Sequence, residues 1–92
     1  MLRSGQRLKA QLLDVRRLES PTGHVRVAIV VPKYGFTAVR RNRLKRRLRE
    51  LARQNMLPRP VSCDVLLRAR REAYNATFDG LRDDIADVAA RL

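Results

Sequence analysis

Apolar positions recur along this chain at two different spacings, and the change of spacing marks out its elements. Between Leu8 and Leu18, Leu8, Ala10 and Leu12 alternate with polar residues, the period of a half-buried strand. Leu8, Leu12 and Val15 also share a helix face, so this segment read alone admits both. Glu19 to His24 holds Pro21 and Gly23 and reads as a turn. Val25 to Val31 is short, β-branched and stopped by Pro32, which predicts a buried strand. Two strands joined by a short turn predict a hairpin.

The period then changes. Pro32 to Thr37 forms a loop around Gly35, and Thr37 is a ready N-cap. From Ala38 to about Gln54, Leu44, Leu48 and Leu51 fall at i, i+4 and i+7 with Ala52 beside them, one face of a helix. Pro58 and Pro60 break the chain, and Val61 to Ala69 reads as a third strand around Val65, Leu66 and Leu67. From about Ala76, Leu81, Ile85, Val88 and Leu92 predict an amphipathic helix that caps the sheet. The order β-β-α-β-α describes an α+β fold, a small central sheet of three to four strands packed by helices. At 92 residues, with no internal repeat or linker, a single domain over 1–92 is expected.

Composition alters this picture mainly through charge. The chain carries 21 Lys and Arg against 9 Asp and Glu, a formal +12 with a pI near 11.6. Such an excess works against compaction, and a polyanion relieves it by releasing its own counterions. The excess is local: residues 1–71 hold 19 basic and 4 acidic side chains, whereas 72–92 hold 2 and 5. Nucleic acid is the expected partner. No helix carries the large apolar anchors of a membrane-surface binder, and no apolar run approaches the ~18 residues of a span. Cys63 is the sole cysteine, so no internal disulfide can form, which fits a reducing cytoplasm. With His24 placed in a turn and no base beside it, Cys63 reads as a small core residue.

The charge concentrates on the central helix. Residues 40–49 hold seven basic side chains in ten positions. With Leu48 and Leu51 within about 40° of Leu44 on one narrow stripe, Arg43, Lys45, Arg46, Arg47, Arg49 and Arg53 occupy most of the remaining circumference. This arrangement opposes helix stability, since like charges three and four apart repel by about 0.2–0.5 kcal/mol a pair. Arg40, Arg41 and Arg43 also crowd the helix N-terminus, where the macrodipole favours anions. A helix needing only solubility would mix signs. Arginine grips phosphate in two places and stacks on bases. Asn42 can reach a base edge, a 2′-hydroxyl or its own helix. These observations do not separate RNA from DNA.

The segment Lys33-Tyr34-Gly35-Phe36-Thr37-Ala38-Val39-Arg40-Arg41-Asn42-Arg43-Leu44-Lys45-Arg46-Arg47-Leu48-Arg49 resembles the signature of the bacterial ribonuclease P protein family. Lys33, Gly35, Ala38, Val39, Arg41, Asn42, Lys45, Arg46 and Arg49 meet that pattern. Arg3 to Arg7 and Asp64 to Arg70 resemble the segments around the family's first and third strands. The resemblance implies that the motif helix sits in a left-handed βαβ crossover, where general rules favour right-handed ones. It implies a protein subunit of the ribonucleoprotein endoribonuclease that removes the 5′ leader from precursor tRNA, in the cytoplasm, with no obligate protein partner. Lys33, Arg40, Arg41, Asn42, Arg43, Lys45, Arg46, Arg47 and Arg49 would bind the catalytic RNA subunit. Tyr34, Phe36, Arg68 and Arg70 would face the precursor-tRNA leader, although Tyr34 and Phe36 could equally cover the core edge. The same resemblance implies that catalysis belongs to the RNA and its Mg²⁺, and the chain agrees in showing no carboxylate cluster, no His-Cys ligand set and no nucleophile–base pair.

Two departures stand out. The family usually begins with a helix bearing a Phe, and here that helix is expected to be absent or a stub at Met1-Leu2. Pro32 stands where the family often has Lys. The alternative function is a structural, ribosomal-type RNA-binding protein. A DNA reader would want a dimer face or a helix-turn-helix, and neither is visible.

Overall fold

The computed structural model describes residues 5–92, so Met1, Leu2 and the start of the Arg3 to Arg7 segment lie outside the described residues. The elements run β1 (Gln6–Leu8), β2 (Leu13–Glu19), β3 (Val25–Val30), α1 (Ala38–Asn55), β4 (Cys63–Ala69), a 3₁₀ turn (Arg71–Asn75) and α2 (Phe78–Ala90). Four strands form one mixed sheet in the order β1-β2-β4-β3. The sheet is larger by one strand than the β-β-α-β-α order, because the segment expected as one strand from Leu8 breaks in two. Residues 9–12 turn, and β1 pairs back on β2 with Leu8 opposite Val15. The turn also reverses parity: Leu13 and Val15 are buried, whereas Leu12 is only half-buried. The turn is held from below, since the Asp84 carboxylate accepts the backbone N–H groups of Gln11 and Leu12, both at 3.0 Å.

The expected hairpin of β2 and β3 does not form. β4 lies between them, antiparallel to β2 and parallel to β3. β4 buries Cys63, Val65, Leu67 and Ala69, so it gains most from a central place where both edges are paired. The connection at residues 20–24 therefore arches over the start of β4. Ser62 clips it there: its Oγ donates to the Ser20 carbonyl and accepts the Gly23 N–H at 2.8 Å.

Alternation divides the sheet into two faces. Leu8, Leu13, Val15, Val25, Val65 and Leu67 join Leu44, Leu48 and Leu51 of α1 and Leu81, Ile85 and Val88 of α2 in one core. Both helices thus cover the same side. Arg7, Asp14, Arg16, Arg26, Leu66 and Arg68 belong to the opposite parity, a face that no described helix covers. Cys63 is fully buried, as its apolar neighbourhood predicts, and burial pushes its thiol pKa up.

Candidate RNA interface

α1 is fixed at its start by Thr37, whose hydroxyl accepts the Arg40 N–H at 3.2 Å. Leu44, Leu48, Leu51 and Ala52 are its only buried residues, so the helix docks by the stripe that its spacing predicts. Arg43, Arg46, Arg47 and Arg49 are exposed, and Lys45 is half-buried. Among the described residues none of these five has an acidic partner, because Glu50 is taken by Arg53. The Arg53 guanidinium holds the Glu50 carboxyl below the usual range. The outer wall of α1 is therefore a field of unpaired cations, assembled at a cost in repulsion and anchored by three leucines.

Arg40 and Arg41 differ from the rest. The Arg41 Nε donates to the Val31 carbonyl at 2.7 Å, and Arg40 donates to the Tyr74 carbonyl and to Asn75 Oδ1, both at 3.1 Å. They tie the helix to the residue just after β3 and to the 3₁₀ turn. Asn42 is exposed, and its side chain makes no hydrogen bond among the described residues.

The loop before α1 is equally pinned. Gly35 sits at φ +86° and Tyr34 at φ +51°, so two successive left-handed residues reverse the chain, and only glycine does this without strain. Tyr34 donates its hydroxyl to the Ala69 carbonyl at 2.9 Å, and Tyr74 donates to the Pro32 carbonyl at 2.6 Å. Phe36 stacks on Tyr74 with centroids 4.2 Å apart, while the guanidinium carbons of Arg40 and Arg71 lie 4.5 and 5.6 Å from its centroid. Both aromatic rings thus have protein neighbours, and Lys33 stands exposed beside them. Nothing local announced Tyr74 and Arg71, because their partners are more than thirty residues away.

Arg68 and Arg70 reach the uncovered sheet face, as their shared parity predicts. Arg68 is exposed opposite Asp14, and Arg70 is paired with Asp14 at 2.9 Å. Arg7 and Arg16, opposite each other on β1 and β2, join Asp14, Leu66 and Arg68 around a shallow groove of about 230 Å³. Arg7 and Arg16 are additions to the expected set, visible only once the register is known.

The described residues do not fit a Mg²⁺ site. Among the described residues no three metal-ligating side chains converge. Asp14, Asp64 and Asp84 are already committed to Arg70, Arg26 and the turn at Gln11-Leu12.

A two-layer α/β domain with one cationic helix wall and one open, Arg-bearing sheet face is built to lie against a polyanion. Comparison with known proteins makes this specific. The Ribonuclease P family profile matches residues 1–92, and the chain belongs to that family. The "Ribonuclease P protein component" of Thermus scotoductus is 42% identical over 84 residues, covering 91% of this chain and 49% of that protein. The protein of that name from Kocuria rhizophila is 42% identical over 65 residues, covering 71% of this chain and 58% of its own length. The chain spans about half the length of the curated relatives it matches. Among solved structures, the RNase P protein from Thermotoga maritima superposes with a TM-score of 0.84 at 25% identity, covering 98% of this chain and 86% of that one. The Staphylococcus aureus RNase P protein shares the fold with a TM-score of 0.80 at 24% identity, covering 97% and 82%.

Proposed function

We propose that this chain acts as the protein subunit of ribonuclease P, binding the catalytic RNA through the α1 wall and the precursor-tRNA leader through the open sheet face. The observation that carries the reading is the unpaired row Arg43, Lys45, Arg46, Arg47 and Arg49 on a helix whose buried stripe leaves that row outward. Each phosphate it neutralises releases counterions, which contributes affinity without base specificity. Lys33, Arg40, Arg41 and Asn42 extend the same surface to the helix start. Arg7, Arg16 and Arg68 serve the leader, with Tyr34, Phe36 and Arg70 shaping the rim of that site. Mg²⁺ is held by the RNA, and no step of the chemistry passes through a protein side chain. The complex works in the cytoplasm. Among the described residues no helix is long and apolar enough to cross a membrane.

The test is precursor-tRNA cleavage by a bacterial ribonuclease P RNA at low Mg²⁺, with and without the protein. The intact chain is expected to restore cleavage, and a variant with Arg41, Arg43, Arg46 and Arg49 changed to Ala is not. Failure of the intact chain, with tight general RNA binding retained, would favour a structural RNA-binding protein.

A further inference from the structure

The edge of the sheet at β3 carries a second feature that the phosphate-binding wall does not use. β3 pairs with β4 alone, so its outer edge has free backbone groups among the described residues. Beside that edge, Val27, Ile29, Ala52 and Leu57 form the floor of a groove of about 290 Å³, and Lys45, Arg49 and Arg53 form its rim. Leu57 is 45% exposed and adjoins the half-buried Val27 and Ile29, so the three make one apolar patch rather than a lone exposed side chain. Lys45, Arg49 and Ala52 fall at i, i+4 and i+7, so one strip of α1 supplies both cations and part of the floor.

We infer that this groove seats one unpaired nucleotide of the RNA that lies along α1. An aliphatic floor can take the face of a base, and unpaired backbone groups of an edge strand can bond its rim or a 2′-hydroxyl. Lys45 and Arg49, which have no acidic partner among the described residues, meet the flanking phosphates. The size argues for a nucleotide over a helix, which would need a longer trough. Charge complementarity excludes a neutral apolar ligand, because such a ligand would leave the cationic rim unanswered. The wall of α1 and the groove then act together: the wall holds the backbone and the groove captures a base turned out of it.

This inference rests on the proposed binding of RNA along α1, but does not require that the RNA be that of ribonuclease P. The experiment is photocross-linking of the full chain to 4-thiouridine-substituted RNA, with cross-linked peptides identified by mass spectrometry. Two RNAs are used in parallel, a bacterial ribonuclease P RNA and a random single-stranded RNA. The expected result is cross-links on the peptides carrying Val27 to Ile29 and Leu57, lost in Leu57→Glu and kept in Leu57→Met. Leu57→Glu is also expected to weaken RNA binding about tenfold while circular dichroism shows the fold intact. Groove cross-links with random RNA alone would sustain the groove and sink the ribonuclease P reading. Cross-links confined to other surfaces with both RNAs would overturn the groove. So would Leu57-dependent binding of a polyglutamate peptide without groove cross-links, which would assign the groove to an acidic protein segment.

Discussion

Asp84 and Tyr74 lie far from the cationic wall in sequence, yet each fixes a segment of the fold. Asp84 satisfies two adjacent N–H groups at the turn between β1 and β2. Asp84→Ala leaves both without their carboxylate and is expected to cost about 1–3 kcal/mol, read as a lowered Tm. Tyr74 holds Pro32 by its hydroxyl and Phe36 by its ring, so Tyr74→Phe and Tyr74→Ala separate the two contributions. Loss of the hydroxyl alone is expected to cost about 0.5–1.5 kcal/mol by denaturant unfolding, and loss of the ring distinctly more. Asp64 accepts a two-pronged pair from Arg26 at 2.8 and 2.9 Å, and that hydrogen bonding lowers its pKa. A depressed carboxyl stabilises the fold above its unfolded-state value, and that contribution is lost as pH falls through the folded one. In an NMR titration, Arg26→Ala should return Asp64 to the ordinary aspartate range. An unchanged Asp64 would refute the pair.

At the scale of elements, α1 is caught between stability and binding. Its leucine stripe is ordinary core: Leu48 is fully buried, and Leu48→Ala is expected to destabilise by about 2–5 kcal/mol. Its outer wall has the reverse sense. Replacing Arg43, Arg46, Arg47 and Arg49 by Ala removes repulsions and breaks no ion pair among the described residues, so Tm should hold or rise. RNA affinity should fall, and the slope of log K against log salt should shrink by about 0.7–0.9 for each phosphate no longer neutralised. A variant that lost stability and affinity together would instead make these arginines structural. Arg40 and Arg41 are expected to behave that second way in part, since their hydrogen bonds run to Tyr74, Asn75 and Val31.

For the molecule as a whole, charge and core point to opposite sides. The outward face of α2 carries Asp79, Asp83 and Asp87, which among the described residues pair only with Arg82 and Arg91 of the same C-terminal segment. Such a face would repel a polyanion, whereas the wall of α1 would attract one. Sulfate or polyphosphate should therefore raise Tm beyond what sodium chloride does at equal ionic strength. Cys63 offers a global readout. It is buried in the central strand with its pKa raised by burial, so alkylation of the native protein should be slow and should track global unfolding rather than local opening.

Much of this was legible in the chain itself. The leucine stripe, the Thr37 cap, the cationic wall and the breakers at Pro58 and Pro60 are short-range features, and a helix satisfies its backbone within its own neighbourhood. The extents of β3, β4 and α2 followed from period and turn residues, which are short-range signals even where a strand's partners are not. The tertiary structure alone decided the rest. A strand's partners lie elsewhere in the chain, so sequence neighbours β2 and β3 looked like a hairpin until β4, the most buried strand, took the place between them. The break at residues 9–12 depended on a carboxylate more than seventy residues away. The stack of Phe36 on Tyr74, the turning inward of Arg40 and the groove beside Leu57 all join distant segments. Local propensity sets what each segment can become, and only packing sets which side chains remain free at the surface.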